Sequence, residues 1–145
     1  MDTPRTVADI MTRKVAVLNE EDNLIDIREG MERFHFRHLP VVDGDRVVGI
    51  VSDRDLLRAS VSALETGAGV ANEDRKIKSG TFVASIMTRA VLTVRPETSL
   101  ADAARLLATA KVSALPVVDG EQRLVGIVTD HDFLQLAARM LDRAA

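Results

Sequence analysis

Apolar residues along this chain change their spacing in a fixed order, and the order occurs twice. Val15-Ala16-Val17-Leu18 is a short, largely β-branched run that predicts a buried strand. Asp22 or Asn23 then offers an N-cap, and Leu24, Ile27, Met31 and Phe34 recur at helical spacing. Leu39-Pro40-Val41-Val42 and Val47-Val48-Gly49-Ile50-Val51 flank an Asp43-Gly44 turn and predict a hairpin. Leu56, Leu57, Val61 and Leu64 fall on one face of a following helix. The second half repeats the series. A strand at Val91-Leu92-Thr93-Val94 precedes a cap at Thr98 or Ser99 and a helix through Leu100, Ala103, Leu107 and Ala110. Next come Leu115-Pro116-Val117-Val118, an Asp119-Gly120 turn, and Leu124-Val125-Gly126-Ile127-Val128. A last helix carries Phe133, Leu134, Ala137, Met140 and Leu141. The predicted order is β-α-β-β-α, twice, a mixed α/β (α+β) fold.

The residues repeat as well as the pattern. Val7 to Arg58 returns as Val83 to Gln135 with one inserted residue near Gln122, and the identities cluster in IMTR, LPVVDG and VGIV followed by Ser/Thr-Asp-x-Asp. A repeat this long that occurs only twice predicts a paired module rather than an open array. Each half, at about fifty residues, buries too little surface to stand comfortably alone, so the two are expected to share a core. The halves are read as domains over 7–64 and 83–143, joined by a linker over 65–82 that lacks a clear period and is anchored by Phe82.

Composition narrows the function classes. The 145 residues carry a net charge of −3 and only four Phe as aromatics, with no Trp or Tyr. That leaves no general attraction to nucleic acid or acidic membranes and almost no base-stacking surface. Without cysteine there is no disulfide, thiolate metal site or Cys nucleophile. No signal-peptide h-region or membrane-length apolar run is visible, so a cytoplasmic protein is expected.

The strongest local chemistry is Ser52-Asp53-Arg54-Asp55, matched by Thr129-Asp130-His131-Asp132, each between a hairpin strand and a helix. One reading is a capping box, a hydroxyl N-cap with an acid three residues on. The other is a ligand site: the helix start faces an anion, while the Asp accepts hydrogen bonds from ribose hydroxyls. The two readings are compatible. His35 and His38 suggest a metal pair only superficially, because no further His or Cys completes a set. Asp53/Asp55 and Asp130/Asp132 are two apart on a helix and do not face each other, so a catalytic dyad is not expected. No catalytic residues are assigned, and the chain is read as a non-enzyme.

With IMTR…LPVVDG…VGIVSDRD in tandem, nearly the whole chain resembles a pair of cystathionine β-synthase (CBS) domains, the arrangement called a Bateman module. The resemblance implies two β-α-β-β-α units packed sheet to sheet about a pseudo-twofold axis, with two clefts that bind adenosine-containing ligands in many members. It also implies dimers formed through the helices. Carried over by motif, one cleft takes Arg37, His38, Leu39, Pro40, Ser52 and Asp55, with Arg89, Ala90 and Val91 reaching across from the other half. The second takes Ser113, Ala114, Leu115, Pro116, Thr129 and Asp132, with Arg13, Lys14 and Val15. Asp55 and Asp132 would hold ribose, and the basic residues phosphate.

The function this implies is a regulatory module that senses AMP, ADP or ATP and signals to an effector protein. NAD-type ligands and S-adenosylmethionine share the same ribose. The competing expectation is a scaffold with vestigial clefts that acts through its helical dimer face. The intact Asp, hydroxyl and basic set in both halves favours the sensor.

Overall fold

The computed structural model describes residues 3–34, 37–65 and 82–144. In chain order these form α1 (Val7–Ile10), β1 (Leu18–Asn19), α2 (Leu24–Phe34), β2 (His38–Asp43), β3 (Arg46–Ser52) and α3 (Asp53–Glu65). Then follow α4 (Val83–Ile86), α5 (Leu100–Ala110), β4 (Ala114–Val118), β5 (Leu124–Thr129) and α6 (Asp130–Ala144). The expected linker, apart from its two ends, lies outside the described residues, as do His35 and Phe36.

The compact units are not the sequence repeats. One unit is Ala16–Val91, and the other joins Met1–Val15 to Leu92–Ala145. Each repeat therefore gives its opening IMTR segment to the unit built around the other repeat.

In the Ala16–Val91 unit, β1, β2 and β3 form one sheet in that order, β1 parallel and β3 antiparallel to β2. In the other unit β4 and β5 pair antiparallel, and the run over 91–94 contributes a single parallel bridge, from Val94 to Val117. The strands expected over 15–18 and 91–94 are thus much shorter than their β-branched runs. The reason is topological: the chain passes from one unit to the other at Val15/Ala16 and Val91/Leu92. Only the last residues of each run can join a ladder.

The expected helix starts are real caps. Asn23 Oδ1 accepts from the Asp26 N–H at 3.0 Å while the Asp26 carboxylate accepts from Asn23 N–H at 3.2 Å, and Ser99 Oγ accepts from Asp102 N–H at 3.1 Å. The unanticipated α1 is also capped, with Asp9 Oδ2 accepting from the amides of Arg5 at 2.8 Å and Thr6 at 3.0 Å. Those two amides, Arg5 first, hold the Asp9 carboxyl below its ordinary value. In the first hairpin Gly44 takes the left-handed turn position (φ 65°), whereas in the second the inserted Gln122 does so (φ 67°).

Each unit has its own apolar core, so the sharing expected of the halves is achieved by exchange of segments. Val83 and Met87 join Leu18, Ile27, Met31, Leu39, Val41 and Val51, while Val7 and Met11 join Val94, Ala103, Leu107, Leu115, Val117 and Val128. On α6 the inward residues are Leu136 (8% exposed) and the partly buried Phe133, not the whole predicted face. Leu134, Met140 and Leu141 are open to solvent, as is Leu57 on α3. Phe82 does not anchor the linker by burial, since it is 51% exposed and only its backbone pairs with Asn23.

Candidate functional site

Two proline-containing strands organise the candidate sites. Pro40 on β2 stands opposite Ile50 on β3, and Ile50 sends its own N–H and C=O away from β2 to Thr88, at 3.0 and 2.9 Å. A residue without an N–H fits this register because its partner's hydrogen bonds point the other way. The second unit repeats the device: Pro116 faces Ile127, which exchanges bonds of 2.9 Å with Thr12. Thr88 and Thr12 thereby become short outer pairings on β3 and β5. The residues that follow them, Arg89-Ala90-Val91 and Arg13-Lys14-Val15, leave these bridges antiparallel to β3 and β5, in the same compact units as those strands.

Glycine makes this approach close. A Cβ on Gly49 would stand 2.5 Å from Met87 Sδ, and one on Gly126 would stand 2.8 Å from Met11 Sδ and 2.9 Å from the Thr12 carbonyl oxygen. The glycine of VGIV and the methionine of IMT are therefore a contact pair, formed between repeats and within one unit. The repeat alignment shows both motifs but not that each serves the other's copy.

At the strand–helix junctions the capping box is present in both copies. Asp55 Oδ2 accepts from Ser52 N–H at 2.8 Å and from Ser52 Oγ at 3.0 Å, while Ser52 Oγ lies 3.2 Å from the Asp55 amide. Thr129 and Asp132 do the same at 2.8, 3.2 and 3.3 Å. The bonds go to Oδ2 in each case, and a carboxylate has a second oxygen to offer. Both Asp residues are half-buried.

The residue before each β2-type strand is tied to the same junction. The Arg37 carbonyl accepts from Asp53 N–H at 2.9 Å, and the Ser113 carbonyl accepts from Asp130 N–H at 3.0 Å. His38 pairs with Ser52, and Ala114 with Thr129. So Arg37, His38, Leu39, Pro40, Ser52, Asp55 and the Arg89–Val91 segment gather in one unit, and Arg13–Val15, Ser113–Pro116, Thr129 and Asp132 in the other. Leu39, Pro40, Ala114, Leu115 and Pro116 are buried and serve as framework; Arg37, Arg89, Ala90, Arg13 and Lys14 are exposed. Arg89 and Arg13 each donate through one guanidinium nitrogen to a carbonyl five residues earlier, Ala84 at 3.2 Å and Ala8 at 3.4 Å. Their remaining N–H groups can serve an anion. Arg54 and His131, each the second residue of its helix, belong to the same junctions and were not singled out from the sequence. Their position directly before the cap Asp was the available signal.

Among the described residues no cluster of three His, Cys, Asp or Glu could hold a metal ion, and no helix is long and apolar enough to cross a membrane.

Comparison with known proteins places this architecture. An uncharacterized protein of Methanocaldococcus jannaschii, MJ1225, is 33% identical over 95% of this chain and 49% of its own length. A homoserine O-acetyltransferase of Methanococcoides burtonii is 36% identical over 92% of this chain but only 24% of its own length. The chain thus spans half or less of these relatives. A CBS domain-containing protein of Dictyostelium discoideum is 33% identical with 94% and 93% covered. Among solved structures, CBSX2 in complex with AMP matches with TM-score 0.77 and 33% identity, covering 94% of this chain and 98% of that one. The CBS domain pair of MJ0100, in complex with 5-methylthioadenosine and S-adenosyl-L-methionine, matches at 0.76 and 26%, covering 93% and 97%. The cytosolic domain of the Mg2+ channel MgtE in complex with ATP matches at 0.72 and 30%, covering 91% and 48%. The CBS domain itself matches residues 7–62 and again 83–139, so this chain belongs to the CBS domain family and carries two of its repeats.

Proposed function

We propose that this chain is a non-catalytic regulatory module that binds adenine nucleotides at two sites, one in each compact unit, and passes its ligand state to a partner protein. The observation that carries the reading is the presence in each compact unit of a Ser/Thr-capped Asp, a buried Leu-Pro strand start and an arginine-bearing segment from the other repeat. The second oxygens of Asp55 and Asp132 suit ribose hydroxyls, and Arg37, Arg89, Arg13 and Lys14 suit phosphate. Structural neighbours with AMP, ATP or S-adenosylmethionine bound support an adenosine ligand. The cations favour a phosphate over a sulfonium tail.

Thermal shift in ligand-free protein tests this. AMP, ADP or ATP at a hundred times its Kd should add about 2.7 kcal/mol and raise Tm by about 5–10 °C, with a guanosine nucleotide as control. No shift with AMP, ADP, ATP, NAD or S-adenosylmethionine would overturn the reading.

A second reading, self-association through the helices, is favoured by the solvent-exposed Leu134, Met140 and Leu141 on α6. It is compatible with the first, and sedimentation velocity of the Leu134→Lys/Leu141→Lys variant checks it.

A further inference from the structure

This inference rests on the nucleotide reading and uses the two sites as controls for each other. Their backbones match position by position: Arg37 and Ser113 give their carbonyls to the first amide of the next helix, at 2.9 and 3.0 Å. The cap carboxylates are alike, and Asp53 is matched by Asp130. Their repulsion of phosphate is therefore common to both sites and cancels in a comparison. The cations do not cancel. One site has Arg89 followed by Ala90, the other Arg13 followed by Lys14. At the start of the inner strand one site has Arg37-His38 and the other Ser113-Ala114, and at the second helix position one has Arg54 and the other His131. The Asp55 site thus has an arginine directly before the inner strand, tied by its carbonyl to the α3 start, whereas the Asp132 site has a neutral serine in the matching place.

We infer that Arg37 determines phosphate-chain length: the Asp55 site prefers a nucleoside triphosphate over a monophosphate, and the Asp132 site lacks that preference. A triphosphate carries enough charge to engage a second arginine as well as the first, and the guanidinium fork holds two phosphate oxygens at once. A monophosphate satisfies only one of them. Ser113 offers a hydroxyl but no charge, so added phosphates gain nothing there.

The test is calorimetric titration of ATP and AMP. Asp132→Ala isolates the Asp55 site and Asp55→Ala the other, with folding of each variant checked by circular dichroism. Adding Arg37→Ser to Asp132→Ala should lower the ATP-to-AMP affinity ratio about tenfold, the worth of one charge-assisted hydrogen bond at an exposed position. Arg37→Lys should keep part of the ratio. Adding Ser113→Arg to Asp55→Ala should raise the ratio by a similar factor, a gain that misfolding cannot produce. If neither substitution changes the ratio while AMP still binds, the assignment of Arg37 is wrong. If neither nucleotide gives heat with the unmodified protein, the nucleotide reading fails and takes this inference with it.

Discussion

Replacing Gly126 by Ala tests whether the IMT segment is held by contact with the VGIV strand. The added Cβ would stand 2.8 Å from Met11 Sδ, 3.2 Å from Met11 Cγ and 2.9 Å from the Thr12 carbonyl oxygen. A methionine end can swing aside, but the carbonyl is backbone and belongs to the pairing of Thr12 with Ile127. Relieving it requires the segment to retreat by several tenths of an ångström, an overpacking cost of about 1–3 kcal/mol. Weakening the two bridge hydrogen bonds adds about 1 kcal/mol. The reduced entropy of the unfolded chain offsets about 0.4–1 kcal/mol, since Gly126 does not sit at positive φ. The net is a loss of about 2 kcal/mol and a fall in Tm of about 4–8 °C. Gly49→Ala is the control: its Cβ meets Met87 Sδ at 2.5 Å, but the Thr88 carbonyl oxygen is farther off, at 3.2 Å. It should cost less, because the tightest neighbour is a flexible side chain. Thermal melts of both variants decide the matter. A Gly126→Ala protein that melts with the wild type, or above Gly49→Ala, refutes the reasoning. Because Arg13–Val15 follow Thr12, Gly126→Ala should also weaken nucleotide at the Asp132 site.

Two further outcomes follow from the exchanged segments and a turn carboxylate. Residues 1–64 expressed alone should be poorly folded or self-associating, because Val83 and Met87 are missing from the core around Leu39 and Val51; a monomer with a sharp unfolding transition would contradict this. Asp119 is held below its ordinary value chiefly by the Arg123 amide, at 3.0 Å, and further by the Glu121 amide at 2.9 Å. A depressed folded-state value stabilises above the unfolded carboxylate value, near about 4, and is lost as pH falls through the folded value. Urea melts between pH 7 and pH 3 should accordingly show a shallower pH dependence for Asp119→Asn than for the wild type, and an unchanged slope would remove this turn carboxylate from the account.

Much of the fold was legible because period and turn chemistry agree at each step. The helix through Ile27 and Met31 starts at Asn23, the helix through Ala103 and Leu107 starts at Ser99, and both hairpins turn where Asp-Gly stands. The capping boxes at Ser52 and Thr129 were legible for the same reason, being local. What the residues did not reveal is non-local. Nothing in Val15–Leu18 or Val91–Val94 says that the chain leaves one unit for the other there, so β propensity overstated both strands. On α6 the predicted face passes over Leu136, which is buried, and includes Leu134, Met140 and Leu141, which are not, because apolar residues stand on more than one side of this helix. The pairing of Gly126 with Met11 was visible only as two motifs, since a contact between repeats leaves no trace in either motif's own spacing.

That pairing explains why the repeats work as a pair. A single repeat supplies the capped Asp and the Leu-Pro strand but not the arginine that follows IMT in the same unit, because its own IMT segment packs elsewhere. The exchanged segment is also the route from one unit to the other. Three residues after Val91, Val94 donates its N–H to the Pro116 carbonyl at 3.1 Å and accepts from Val118 at 2.9 Å. Pro116 belongs to the other candidate site. In the reverse direction, Val15 leads within three residues to Leu18, in register with Val41 on the strand that carries Pro40. If a ligand repositions Arg89–Val91 or Arg13–Val15, the covalent crossover at Val91/Leu92 or Val15/Ala16 is the path by which it would affect the other site. By linkage any such effect must be equal in both directions. Emptying one site with Asp55→Ala or Asp132→Ala should therefore change the affinity of the other by the same factor, and two independent affinities, unchanged in either variant, would show that the crossovers transmit nothing.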